Sequence, residues 1–434
     1  MLLRLLSSGD ASFQRDFAAI RQRGAQASAK VDDQARRIVD AVRRRGDRAL
    51  IDFTRRFDGV RLTPRTLRVS DAEVKAAIQQ VPPRALHALR LAARRIAAFH
   101  KRQLLRSWSY RDPVGLQLGQ RITPLSRVGV YVPGGHAAYP SSVLMNVVPA
   151  RVAGVREVVM VSPRGRNGFH PAVLAAASIA GVDAIYPIGG AQAVAALAHG
   201  TATIAPVDKI VGPGNAWVQA AKKLVYGIVD IDGIAGPSEV LIIADRSADP
   251  AHVAADLLAQ AEHGSGDECA VLLTTSRPLA LAVQAEVARQ LSELPRRRDI
   301  ERVLRRRGAI IVLRDLDEAA VIADQVAPEH LEILTQQPQK VAARIRNAGA
   351  IFLGPYAPAP LGDYLAGPNH VLPTGGTARF FSPLGVYHFM KRTSIVSASR
   401  AALRKLGPSV ERLASLEGYQ AHANAVRVRF ADAK

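Results

Sequence analysis

The chain of 434 residues holds a single cysteine, Cys269, so no intramolecular disulfide can form, which fits a reducing compartment. No apolar run approaches the ~18 residues that a membrane-spanning helix needs. The opening Met1–Leu6 is apolar, but Arg4 interrupts it, and it is shorter than the ~7–15-residue core of a signal peptide. A cytoplasmic protein without membrane attachment is therefore expected. Aromatic residues make up only 5% of the chain and do not interleave with basic ones as in base-stacking surfaces. Zinc-finger spacing is absent as well. Acidic residues are in deficit, with 37 Asp and Glu against 58 Lys and Arg, for a formal charge of +21.

That positive charge is concentrated. Residues 1–125 carry 26 Lys and Arg against 11 Asp and Glu, which is most of the excess in under a third of the chain. A patch of this size attracts nucleic acid or anionic membrane in some proteins. Here Arg36-Arg37, Arg43–Arg45 and Arg94-Arg95 fall among Ile38, Val39, Val42, Leu50, Ile96 and Phe99 at helical spacing. The pattern is that of amphipathic helices with arginine outside, and a nucleic-acid partner is not expected.

At about 150 residues per domain the length suggests two or three domains. With 48% apolar and 22% charged residues, the composition is that of an ordinary globular protein. Residues 1–110 read mostly as helix, broken at Pro82-Pro83. From about Arg121 the texture changes. Short apolar runs at Val128–Val132, Glu157–Val161, Ala184–Ile188, Lys209–Val211, Val240–Ala244, Ala270–Thr274, Ala309–Leu313 and Ala350–Leu353 read as strands. Helical patterns separate them, at Pro171–Ala180, Ala191–Ala198, Ala216–Tyr226, Pro250–Glu262, Glu318–Val326 and Gln339–Ala348. Such alternation predicts parallel sheets wrapped by helices, with ligands beyond the carboxyl ends of the strands. Residues 385–434 read as a polar helical tail.

Several segments carry chemistry. Lys209 to Asn215 runs strand, glycine turn, helix start; it suits either an anion at the helix N-terminus or simply a tight turn. Gln260 and His263 share one helix face, and both side chains can ligate a metal, though the pair also suits a helix C-terminal turn. Cys269 opens an apolar run and reads as a small core residue. Glu329-His330 sets two acid–base groups side by side. Leu361–His370 is a Gly/Pro-punctuated loop with Asp363 and His370, dense enough in such residues to be functional. Glu417 and His422 are five apart and would diverge by about 140° on one straight helix.

As a set, these segments resemble the histidinol dehydrogenases. The resemblance runs from about Arg121 to His422. It rests on Gly129–Gly135, Tyr139–Asn146, Gly189–Gln192, Gly212–Asn215, Ala235–Glu239, Gln260–His263, Glu329–Leu331, Leu361–His370 and Glu417 with His422, in order and at fitting spacing. The Leu361–His370 run is the most specific. Gly264–Glu268 is a residue longer than usual, and Tyr419 replaces a common aliphatic residue; neither is a proposed ligand.

The resemblance implies an α/β fold of two Rossmann-like parallel-sheet domains, with a helical N-terminal segment and a small C-terminal helical tail domain. It divides the chain into residues 1–25, a larger α/β domain of 26–130 plus 237–384, a nucleotide-binding domain of 131–236, and a tail of 385–434 that reaches a partner subunit. It implies NAD-dependent, four-electron oxidation of L-histidinol to L-histidine in a homodimer, with one Zn²⁺ per subunit. The metal ligands are then Gln260, His263, Asp363 and His422, the last from the partner of a shared active site. Substrate contacts fall on Ser238, Gln260, His263, His330, Asp363, His370, Glu417 and His422. Cofactor contacts fall on Tyr131, Gln192 and Asn215, and the acid–base pair is Glu329 and His330. Two other readings stand beside this one: a dehydrogenase of the same architecture acting on another small alcohol, and a basic nucleic-acid-binding protein that has lost catalysis.

Overall fold

The computed structural model describes residues 2–21, 29–134, 138–165, 168–264 and 266–431. Gly135 of the first glycine run, the division placed at residue 25 and Ser265 of the longer stretch lie outside the described residues. In chain order the strands are β1 (Arg4–Ser7), β2 (Trp108–Arg111), β3 (Leu116–Pro124), β4 (Arg127–Tyr131), β5 (Glu157–Val161), β6 (Ala184–Tyr186), β7 (Lys209–Val211), β8 (Asp230–Ile231), β9 (Glu239–Ala244), β10 (Cys269–Thr274), β11 (Gly308–Val312), β12 (His330–Leu334), β13 (Ala350–Leu353) and β14 (Met390–Ala398).

Two compact units form. The first comprises residues 1–103 and 125–389, the second 104–124 and 390–434. The first contains two parallel sheets. One has the order β6-β5-β4-β7-β8, the other β1-β11-β10-β9-β12-β13. Strands β9, β10 and β12 are buried along their whole length, because helices cover both faces of the sheet. This explains why β9 after Glu239 and β10 read as near-continuous apolar runs and not as alternating ones, whereas His330 and Glu332 interrupt β12. Beneath the six-stranded sheet, Ile242, Leu257, Leu272 and Leu334 share a core on one face; Leu241, Cys269, Val271, Leu331 and Ile333 share the core on the other. The alternation is decisive on β12. Period two sends His330, Glu332 and Leu334 to the face covered by the Pro250–Ala261 helix, and Leu331 and Ile333 to the opposite one.

The arginine-rich N-terminal segment folds as expected from its periodicity. The Ala29–Arg45 helix buries Ala35, Ile38, Val39 and Val42, and these join the core of the five-stranded sheet with Leu50, Leu197 and Ile210. Ile96 is buried too, whereas Phe99 is exposed. Residues 4–7, expected as helix, instead add an edge strand beside β11.

The second unit is an antiparallel sheet of order β14-β3-β2 followed by helices Arg400–Leu416 and Gln420–Arg427. The tail therefore opens with a strand where only helix was expected. β14 is exposed nearly throughout, so it has no buried face to leave an alternating signature. No helix among the described residues is long and apolar enough to cross a membrane.

Candidate active site

Within the first unit, a cleft of about 340 Å³ is lined by Ser238, His263, Glu329, His330, Asp363 and His370, together with the Gly212–Gly214 turn. The turn follows the carboxyl end of β7. His330, by contrast, begins β12, and Ser238 immediately precedes β9. The expectation of a site beyond carboxyl strand ends thus holds for the five-stranded sheet only. In the six-stranded sheet the amino ends of β9 and β12 face the cleft, because the Pro250–Ala261 helix returns its carboxyl end to that edge and delivers Gln260 and His263 there.

Glu329 and His330 are held by the neighbouring strand. Glu329 Oε2 accepts from Ser238 Oγ at 2.5 Å and from the Glu239 N–H at 2.9 Å. The Glu329 N–H donates to Glu239 Oε1 at 3.1 Å. His330 Nδ1 lies 3.2 Å from the Glu239 carbonyl and 3.7 Å from Glu329 Oε2, while Nε2 lies 3.5 Å from Asp363 Oδ1. Burial pushes the Glu329 carboxyl up to about 7, against the opposing pull of His330, Ser238 and the Glu239 N–H. Burial alone would lower His330, but the carboxylates of Glu329 and Asp363 outweigh it and raise the imidazole to about 9. Burial would likewise raise Asp363; His330, His370 and His263 around it keep it below the usual carboxylate range.

His263 is open to the cleft, yet crowded enough that loss of water lowers its imidazole, against the pull of Asp363. Gln260 is buried, and its Nε2 has no hydrogen-bond partner. An unmet buried amide N–H costs about 1–3 kcal/mol and calls for an acceptor, whereas the atom of Gln260 able to ligate a cation is its Oε1. An amide, a neutral imidazole and an ionised carboxylate are a suitable donor set for a borderline divalent cation. Among the described residues no three His, Cys, Asp or Glu side chains gather to hold a metal by themselves. The first unit offers only two such residues from the expected set, His263 and Asp363, so a cation there needs Gln260 and a further donor. His370 Nδ1 lies 3.1 Å from the Asp363 carbonyl, and burial lowers its ring as well.

The remaining expected residues lie elsewhere. Tyr131 is buried at the end of β4, and its hydroxyl accepts from the Gly190 N–H at 3.1 Å. Gln192 is buried in the Gly190–His199 helix with Oε1 unpartnered. Asn215 caps the next helix by accepting from the Val218 N–H at 3.1 Å, which takes up one of the donors an anion would use. None of the three lines the cleft. Glu417 and His422 belong to the second unit and are exposed. They are not on one straight helix: Glu417 ends one, Gly418 adopts φ 78°, and the next begins at Gln420. Cys269 is packed in the core, in line with its expected structural role.

Lys222 and Asp232 also line the cleft and were not foreseen. Lys222 Nζ donates to the Gly212 carbonyl and pairs with Asp232 Oδ1, both at 2.6 Å; Asp232 Oδ2 accepts from the Gly212 N–H at 2.7 Å. The pair clamps the Gly212 residue from both sides. A side chain at Gly212 is excluded, since φ is 111° and a Cβ would stand 2.1 Å from the Tyr131 carbonyl oxygen.

Comparison with known proteins follows the same lines. The family model described as histidinol dehydrogenase matches residues 21–430. The chain is 52% identical to the histidinol dehydrogenase of Syntrophotalea carbinolica over 433 residues, covering 99% of this chain and 100% of that protein. It is 54% identical to that of Rhizobium meliloti over 420 residues, covering 97% and 96%. The crystal structure of histidinol dehydrogenase from Elizabethkingia anophelis superposes with a TM-score of 0.93 at 35% identity, covering 99% of this chain and 98% of that one.

Proposed function

The chain belongs to the histidinol dehydrogenase family, oxidoreductases of histidine biosynthesis, and on that premise we propose that it converts L-histidinol to L-histidine through bound L-histidinal with reduction of two NAD⁺. Alcohol, water and two NAD⁺ give carboxylate, two NADH and three protons. The observation that carries this reading is the gathering of Ser238, His263, Glu329, His330, Asp363 and His370 around one cleft. Residues 131–236 serve as the nucleotide-binding part, with Tyr131, Gln192 and Asn215 toward the dinucleotide, which supplies the hydride acceptor when bound. Residues 237–384 supply the acid–base and metal groups.

Gln260, His263 and Asp363 would hold a zinc ion together with His422 of a second copy. When bound, the ion supplies an anchor for the imidazole and amine of the substrate. His330 in its deprotonated form, the minority below its raised value of about 9, takes the carbinol proton at Nε2, with Nδ1–H donating to the Glu239 carbonyl. Glu329 takes a proton from the water that adds to the aldehyde; Ser238 and the Glu239 N–H hold its Oε2 and leave Oε1 for that water. His370, Glu417 and Ser238 orient the substrate. Positioning of this kind replaces a chance encounter with a held geometry. A homodimer is in keeping with the second unit, where Trp108, Tyr110, Val396, Leu413 and Leu416 are all exposed. The protein acts in the cytoplasm. The test is product stoichiometry with histidinol beside a panel of simple alcohols. Two NADH per histidinol are expected; one NADH with released aldehyde, or equal rates on simple alcohols, would overturn the reading.

A further inference from the structure

The elements that bring the site together meet at one buried carboxyl group outside it. Glu332 lies two residues beyond His330 on the same face of β12 and is 1% exposed. Its Oε1 accepts from the Ala359 N–H at 2.8 Å. Ala359 opens the short Ala359–Leu361 helix, which runs directly into the Gly362–Ala366 turn that carries Asp363. This turn lies close against β13: a Cβ at Gly362 would stand 2.6 Å from Phe352, the β13 partner of Glu332.

The other oxygen of Glu332, Oε2, is buried and meets no hydrogen-bond donor. Among the described residues Glu332 forms no ion pair. It faces a second carboxyl, that of Asp256. Asp256 lies on the Pro250–Ala261 helix, one turn before Gln260 and on the face that also leads to His263. Two neighbouring carboxylates, Glu332 buried and Asp256 half-buried, disfavour ionising together, whereas one shared proton turns repulsion into a strong O–H···O bond. Burial and Asp256 push Glu332 up to about 9, and His330 on the same strand only moderates this. Burial raises Asp256 too, with Glu332 and His252 pulling the other way.

We propose that Glu332 is a positioning residue: as a neutral acid it donates its proton to Asp256 and accepts the Ala359 N–H. It thereby locks the helix of Gln260 and His263, and the turn of Asp363, to the strand of His330. The inference rests on the zinc reading above.

The test is zinc affinity of the purified full chain, measured by competition with a chromophoric chelator and without turnover, beside thermal unfolding. Glu332→Gln retains both bonds, since Oε1 still accepts and Nε2–H donates to Asp256; it should bind zinc within about threefold of wild type. Glu332→Leu removes both and should weaken zinc by about 10–100-fold, the range typical of lost outer supports. Asp256→Leu, which removes the acceptor from the other side, should reproduce that loss. Ile333→Ala, on the opposite face of β12, should lower thermal stability and leave zinc affinity unchanged. Wild-type affinity in Glu332→Leu or Asp256→Leu, or equal loss in Ile333→Ala, would overturn the positioning role. A Glu332→Gln chain as weak as Glu332→Leu would refute the shared proton. If wild-type protein itself took up no zinc, the metal reading would fall and this inference with it.

Discussion

Replacing Glu329 by Gln separates the two oxidations. In the folded chain, Ser238 Oγ and the Glu239 N–H both donate to one oxygen of Glu329, and a Gln oxygen accepts both bonds equally well. Folding and alcohol binding are thus expected to survive. What is lost is the base for water. General bases of this kind contribute about 10²–10⁴-fold, so oxidation of supplied histidinal should fall by that factor, with the alcohol step far less affected. The pH profile follows from the same geometry. Burial raises Glu329 to about 7, against His330 and the donors around it, and only the ionised form accepts a proton. The aldehyde step of the wild type should therefore rise by roughly tenfold between pH 6 and pH 8 and then level off, and the variant should lose this dependence. Single-turnover NADH formation from histidinol and from histidinal, each across pH, is the assay. Equal losses in both steps, or an unchanged pH profile for the aldehyde step in Glu329→Gln, would refute the division of labour between Glu329 and His330.

His330→Asn should lower turnover by about 10²–10⁴-fold without loss of zinc, as steady-state rates and metal analysis on the same sample would show; near-wild-type rates would end its role as base. Lys222→Met strands Asp232 beneath the Gly212 turn, where the pair's side chains are 1% and 9% exposed. Loss of one partner of a buried ion pair costs about 3–5 kcal/mol, to be read from urea unfolding; a cost below about 1 kcal/mol would mean the clamp is not needed. Chelation should abolish histidinol turnover, and added zinc should restore it, with full activity in metal-free protein as the contrary result.

Most of the strands legible in the sequence are those buried on both faces; the half-exposed β13 is an exception. β9 after Glu239, β10 up to Thr274, and β11 are apolar runs, and that signal does not depend on partners. β12 was missed although it is equally buried, because two of its five residues are His330 and Glu332 and Glu329 precedes it. Polar side chains were placed there against the local rule for a central strand, as is usual where a site is built. The Gln339–Ala348 helix shrank to Pro338–Ala342, since its periodicity gave no sign of where the chain would turn into β13. The divergence argued for Glu417 and His422 assumed one straight helix, and Gly418 at φ 78° breaks it. The resemblance singled out Glu329, His330, His263 and Asp363, and these side chains line one cleft. The supports were not legible: Lys222 with Asp232, and Glu332 with Asp256 and Ala359, join residues far apart in the chain through contacts that only the fold creates.

The most direct measurement is a crystal structure of the chain soaked with zinc and histidinol, with the ion located by its anomalous scattering. One ion per chain is predicted, bound by Gln260, His263 and Asp363 of one copy and His422 of another, with the substrate imidazole and amine completing its shell. An ion lodged elsewhere, or His422 far from it in every copy, would contradict the account.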